Sequence, residues 1–441
     1  MAELTILGGG PAGLGVAYYA TRAGQRVALY EKSTALGGLC RTLQAGAHRY
    51  DTGAHRFHDR DPDVTRDVRE LVGDDLRSVD APSQICDRGR FVDFPPTPLN
   101  LLLSSSVGDA GRIGLEILRG RLARRAPVSF GDFAVRQFGE TLARRYLLAY
   151  SEKLWGLPAH ELSPDVATRR LSGMTIGSLV RELVAPGRKT RHIDGRFLYP
   201  RLGYGQIADR LTAALPAAAI NAGRAVVGLE CAQGRVARIR FADGAAVEPG
   251  DRVVSTLPLT VLVKLLGDAA PADARRHVER LRFRHIRLVF LRLAQERVSP
   301  NASIYVPDPS LIISRISEPK NRSAEMAPPD ETSLVVEVPC FTGDAVHGLS
   351  DGALVDRVVS ELERLGLVRP DAVLETHVHF LPHAYPVYAL DFGATVARVL
   401  DALAGIENLD TLGRGGRFVY GHLHDQLGVA KEYVARRAAA A

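Results

Sequence analysis

Cysteine is scarce in this chain: four among 441 residues (Cys40, Cys86, Cys231, Cys340), far apart and without Cys-x-x-Cys spacing. That pattern excludes a disulfide framework and the usual zinc-ribbon arrangements. No apolar run reaches the length of a membrane span, and the best stretch, 257–266, is broken by Lys264. Nothing like a secretory leader stands ahead of the first glycine cluster, so the expected location is the cytoplasm. Neither charge sign dominates. The formal charge of +6 is spread along the chain with no nucleic-acid motif, which suits a small anionic ligand better than DNA or RNA. Neither a nucleophile triad nor a metal-ligand cluster stands out, and there is one tryptophan, Trp155. With 46% hydrophobic and 24% charged residues, the composition is that of a folded chain. Its length allows two domains or one elaborated α/β fold.

What is present is concentrated at the start. Leu4-Thr5-Ile6-Leu7 is a short apolar run, followed at once by Gly8-Gly9-Gly10-Pro11-Ala12-Gly13, a helix-like segment to about Ala23, and a second strand ending at Glu31. This order of strand, Gly-x-Gly-x-x-Gly, helix, strand and acid is a dinucleotide-binding unit. Gly8 permits the tight turn, Gly10 lets backbone approach a pyrophosphate, and Gly13 lets the helix pack on the strand. The helix N-terminus turns unpaired N–H groups and positive dipole toward the phosphates. Glu31 is placed to accept from ribose hydroxyls, which disfavours a 2′-phosphate.

Past Glu31 come Lys32 and then Gly37-Gly38-Leu39-Cys40-Arg41. A second glycine pair followed by arginine resembles the superfamily of flavin amine oxidases, protoporphyrinogen oxidases and UDP-galactopyranose mutases. The resemblance implies FAD, held here by Gly8, Gly10, Ala12, Gly13, Glu31, Lys32, Gly38, Leu39 and Arg41. Gly53-Ala54-His55-Arg56-Phe57-His58 is similar to the Gly-x-His-x-Phe-His of the mutases and to the Gly-Gly-His-Arg-Phe of the oxidase-like branch. It implies His55 beside the flavin, in a catalytic role, and Arg56 on the substrate.

Further matches run along the chain. Tyr150-Ser151-Glu152-Lys153-Leu154-Trp155-Gly156, with Arg170-Leu171 downstream, resembles the mutases, whose tryptophan lines a uridine pocket. An indole face suits a flat base, and a core tryptophan between two helices fits the same residues. Tyr199-Pro200-Arg201-Leu202-Gly203-Tyr204-Gly205 is closer to the oxidase-like branch and implies Tyr199 and Arg201 on the substrate. In this group Val226-Val227 stands where backbone meets adenine, which implies Val227 on the cofactor. Arg315 and Lys320 are candidates for gripping an anionic substrate, or charges on a surface. The Tyr385-Pro386 pair, with Tyr388, resembles the tyrosine that the mutases place on the substrate diphosphate. Gly413-Arg414, then a helix starting near Asp425 with Gln426 and Leu427, is the second flavin signature. His422 and His424 stand where relatives carry an Asn-Met-Asp type of turn, so they either alter the pocket or face solvent.

The fold expected is α/β: a discontinuous Rossmann-type FAD-binding domain (1–98, 191–285 and 381–441), a helical block (99–190) and an antiparallel substrate sheet (286–380). Within it, 225–230, 235–241 and 247–254 read as a three-strand meander and 351–365 as an amphipathic helix. A basic run, 119–125, reads as a solvated helix end. The expected function is that of an FAD enzyme acting on a nucleotide-linked sugar through flavin N5, as in mutase-type ring isomerisation. The rival expectation is an oxidase or dehydrogenase removing hydride from a C–N or C–C bond, with Arg315, Tyr385 and His55 as catalytic residues in either case.

Overall fold

The computed structural model describes residues 3–87, 89–94, 107–122, 126–170 and 196–439. Its centre is a five-stranded parallel sheet in the order Leu409–Thr411, Arg252–Ser255, Leu4–Leu7, Val27–Tyr30, Ile220–Asn221. Leu4–Leu7 lies in the middle and is buried along its whole length, so it reads as a continuous apolar run and not as an alternation. The strands come from three distant stretches of chain, which makes the nucleotide fold discontinuous. Helix Pro11–Arg22 packs against the last helix, Leu423–Ala438. Gly15 permits that approach: a Cβ there would meet Ala430 Cβ at 2.9 Å.

The meander forms with Val226–Ala232, Arg235–Phe241 and Ala246–Val247. Its third strand is shorter than expected, because Arg252–Ser255 joins the parallel sheet. The second large sheet has seven strands, ordered Val373–Pro386, Phe283–Leu293, Thr332–Cys340, Arg315–Ser317, Ser303–Tyr305, Ser83–Asp87, Arg90–Phe94. All its pairings are antiparallel except that of 303–305 with 83–87. Residues 83–94 therefore extend the substrate sheet, although the first FAD segment was expected to run to 98. Ile85 and Cys86 are buried against it at 3% and 1% exposure, which holds this pairing.

The helical block has Val107–Leu122, Phe130–Phe138 and Ala149–Trp155 among its members. Ser129 and Asp132 form a capping box at the start of Phe130–Phe138. Lys153 ties the block down: its Nζ donates to the carbonyls of Val306, Asp308 and Ile313, in the connection between strands Ser303–Tyr305 and Arg315–Ser317 of the substrate sheet. The Pro95-Pro96 boundary, the end of the basic run at 123–125, and Leu171 lie outside the described residues. Among the described residues, no helix is long and apolar enough to cross a membrane.

Candidate active site

The C-terminal ends of the parallel strands, the inner face of the substrate sheet and the helical block enclose one cavity of about 870 Å³. At its nucleotide end, Gly8 turns with φ +101°, as a tight strand-to-helix turn requires. Gly13 does not line the cavity; it lies so close to the turn that a Cβ would sit 1.9 Å from the Gly8 carbonyl oxygen. Gly10 does line it, and a Cβ there would meet nothing nearer than Gly38 Cα at 4.0 Å. No side chain caps the Pro11–Arg22 helix, whose first residues Pro11 and Ala12 face the same space. Glu31 is held by two backbone amides, Gly9 N–H to Oε2 and Ser33 N–H to Oε1, both 2.8 Å. Lys32, Gly38, Leu39, Arg41, Gly413, Arg414 and Gln426 complete this end.

These residues fit FAD. The Gln426 amide oxygen and the Nε atoms of Arg41 and Arg414 are buried without hydrogen-bond partners, and all three side chains line the cavity. Buried polar atoms are normally satisfied, so they await polar atoms of a ligand. Arg414 is itself well placed: its guanidinium lies over the rings of Tyr385 and Tyr420, 4.8 and 4.5 Å from their centroids, and donates to the Ala384 carbonyl.

The middle of the cavity is governed by one ion pair and one histidine. Arg315 and Glu337 are cross-strand partners, and the guanidinium grips the carboxylate through Nε (3.0 Å) and Nη2 (2.6 and 2.7 Å). Both side chains are largely shielded, at 16% and 4% exposure. His55 Nε2 donates to the Leu39 carbonyl at 2.8 Å, so its neutral form presents Nδ1 as an acceptor. The ring stacks on Tyr204, centroids 4.9 Å apart. Burial, then the nearby Arg315, Arg322 and Arg414 cations, pushes His55 down to about 3 despite the Leu39 bond. Arg56 donates to Ser83 Oγ at 2.6 Å and lies over Phe197. Among the described residues, neither Arg56 nor Arg414 has a carboxylate within ion-pair distance.

The far end is aromatic. Phe94, Tyr146, Tyr150, Trp155 and Tyr305 all line it. Trp155 reaches the cavity as expected but is only 1% exposed; one ring face lies on Tyr388 (5.3 Å, 24°) and Tyr385 meets it edge-on at 6.0 Å. Trp155 is thus both wall and core.

Several expected site residues lie elsewhere. Tyr199 is buried on the strand that pairs with 76–80, and its hydroxyl donates to Asp51 at 2.6 Å. Arg201 pairs with Asp75 at 2.7 Å, away from the cavity. Tyr388 backs Trp155 and accepts from the Tyr420 amide at 2.6 Å. Lys320 spends its ammonium on the carbonyls of Glu296, Pro328, Pro329 and Glu331. Val227 points outward at 49% exposure, and Val226 lines the cavity instead, one residue along an alternating strand. Leu427 is core at 1% exposure. Of the two late histidines, His422 lines the cavity with His58, while His424 is buried and stacked on His422 at 5.5 Å.

The histidines make stability depend on pH. Burial holds His55 and His58 near 3, and His383 and His422 near 4, below the 6.5 of a free imidazole. Between those values the unfolded chain binds more protons than the folded one. Their contribution is therefore full above about pH 6.5 and is lost as pH falls toward 4 and below. Urea midpoints measured from pH 7 to pH 4 should decline, and the joint change His58→Gln, His422→Gln should flatten that decline. An unchanged slope would remove this assignment.

A family model described as flavin-containing amine oxidoreductase matches residues 11–401. Polyamine oxidase 1 of Oryza sativa subsp. japonica is 28% identical over 295 residues, covering 60% of this chain and 54% of that protein. Coproporphyrinogen III oxidase of Mycobacterium leprae (strain TN) is 29% identical over 292 residues, covering 60% and 62%. The chain thus matches little more than half the length of these relatives. Among solved structures, reduced UDP-galactopyranose mutase superposes with a TM-score of 0.84, at 20% identity, over 100% of this chain and 96% of that one. That likeness concerns the fold.

Proposed function

The chain belongs to the flavin-containing amine oxidoreductase family, with FAD as its cofactor, and from that premise we propose that it acts on a small anionic substrate, a nucleotide-linked sugar. The observation that carries this reading is the charge of the cavity wall. Seven cationic side chains (Lys32, Arg41, Arg56, Arg60, Arg224, Arg315, Arg414) line it against two carboxylates, Glu31 and Glu337. The FAD pyrophosphate offsets part of the excess at the nucleotide end. Among the described residues Arg56 remains without a carboxylate partner toward the aromatic end, where a protonated amine would meet like charge. A diphosphate there would satisfy Arg56 and the Tyr385 hydroxyl, with the aromatic wall beyond for a flat base.

FAD, when bound, supplies two-electron chemistry and, in its reduced form, a nucleophilic ring nitrogen. The chain's own residues bind and orient. His55 stays neutral through the physiological range and keeps Nδ1 as a hydrogen-bond acceptor. Arg315, neutralised by Glu337, provides donors without adding net charge.

The test is direct. Holoprotein given UDP-sugars should form the ring-isomerised product only after reduction by dithionite. Arg56→Gln should weaken UDP binding about 10-fold or more, as loss of a charge-assisted contact implies. A second reading, hydride removal from a C–N or C–C bond, is favoured by the names of the family and of its relatives. Within it, the wall charge favours a carboxylate-bearing substrate over a polyamine. Bleaching of the oxidised flavin by a substrate, with peroxide appearing in air, would move the protein to that reading.

A further inference from the structure

Two carboxylates line the cavity, Glu31 at its nucleotide end and Glu337 in its middle. Glu337 stands on the interior strand Thr332–Cys340, opposite Arg315 on one side and Leu288 on the other. Its Oε1 receives the Ala54 amide at 3.2 Å as well as Arg315 Nε at 3.0 Å. Ala54 lies in a tight turn, closed by the His55 amide on the Gly53 carbonyl at 2.9 Å. One carboxylate therefore joins the substrate sheet to the turn that carries His55. The surroundings are cationic. Arg315, Arg322 and Arg414 all act on the buried, neutral His55 ring. Among the described residues, only Arg315 of these three has a carboxylate within ion-pair distance. Asp51 acts on Arg322 from farther off and is bonded to Tyr199, Thr42 and the Tyr204 amide. Glu337 thus sets how much positive charge this part of the wall carries.

We propose that Glu337, by neutralising Arg315 beside the His55 turn, holds the bound flavin at a lower reduction potential than the bare cation would. Stability alone does not account for the pair, since apolar residues of similar volume replace buried ion pairs at little cost. Reduced flavin carries negative charge on its ring, and charge near that ring tunes its potential. A unit charge at about 10 Å, through an effective dielectric of about 20, moves such an equilibrium roughly tenfold. Glu337 acts through Arg315, so it is a positioning residue. The inference goes beyond the substrate reading and rests only on FAD as the cofactor, so it holds for either of the two reactions considered above.

The experiment uses FAD-loaded protein, with the flavin midpoint potential measured by dye-coupled reduction at pH 7. Glu337→Gln keeps an oxygen for the Ala54 amide and for Arg315 but removes the charge. It should shift the two-electron equilibrium about tenfold toward reduced flavin, a rise of about 30 mV. The double variant Arg315→Gln, Glu337→Gln removes both charges and should return the equilibrium to within about twofold of wild type, about 10 mV. A carboxylate that served only the fold would lower the melting temperature without this rise and reversal. An unchanged potential in Glu337→Gln overturns the proposal. So does a rise that persists in the double variant, because Arg315 is then not its source. If Glu337→Gln does not retain FAD, the double variant decides alone: it has the wild-type net charge, and a shift beyond about twofold overturns the proposal.

Discussion

Arg315→Met is expected to destabilise the protein by about 3–5 kcal/mol, the cost of leaving a buried charge without its partner. Glu337 is 4% exposed, and apart from Arg315 its carboxylate receives the Ala54 amide at 3.2 Å. Removing the guanidinium strands that charge in a low-dielectric wall. The double variant Arg315→Met, Glu337→Leu should recover much of the loss, because well-packed apolar residues replace buried ion pairs at little cost. Denaturant unfolding of both variants and wild type measures this directly. If the single variant loses less than about 1 kcal/mol, the pair is not structural and Arg315 is free to serve the substrate alone. If the double variant recovers stability yet loses UDP binding, both roles hold.

Gly13→Ala should also be destabilising, by a different route. Its Cβ would lie 1.9 Å from the Gly8 carbonyl oxygen, a backbone atom that cannot swing aside. The helix must move off the strand, and with it the amides that face the pyrophosphate. Overpacking of this kind typically costs about 1–3 kcal/mol, and a backbone obstacle belongs at the upper end. The purified variant should emerge largely without yellow colour and melt well below wild type even with added FAD. Retention of stoichiometric flavin would show that the turn tolerates the methyl group and that the glycine is not required there. Gly24→Ala is a useful control for glycine loss as such: it lies in open space, and its φ of +80° adds only local strain.

Much of the cofactor cradle was legible because its parts are neighbours in sequence. Gly8 to Glu31 spans one strand-helix-strand unit, and each residue's job follows from local geometry. The substrate end was harder. Arg315 was singled out as an anion grip, yet its carboxylate partner lies 22 residues away. Only the register of two antiparallel strands sets them opposite each other. Tyr199 and Arg201 carry a familiar pattern, but pairing with 76–80 turns the tyrosine to Asp51 and leaves the arginine to Asp75. Val227 missed the cavity by a single residue, since neighbouring side chains on a strand face opposite ways.

The sequence by itself determined that this is a dinucleotide fold, that its acid end favours a free ribose hydroxyl, and, through two glycine signatures, that the cofactor is FAD. Those properties live in contiguous backbone, where glycine conformation and helix dipole act over a few residues. Tertiary structure alone decided which cations remain unpaired, which tyrosines face the cavity and which donors stand unused. Pairing and burial depend on contacts between segments far apart in the chain, and these arise only when the sheets and the helical block close on one another.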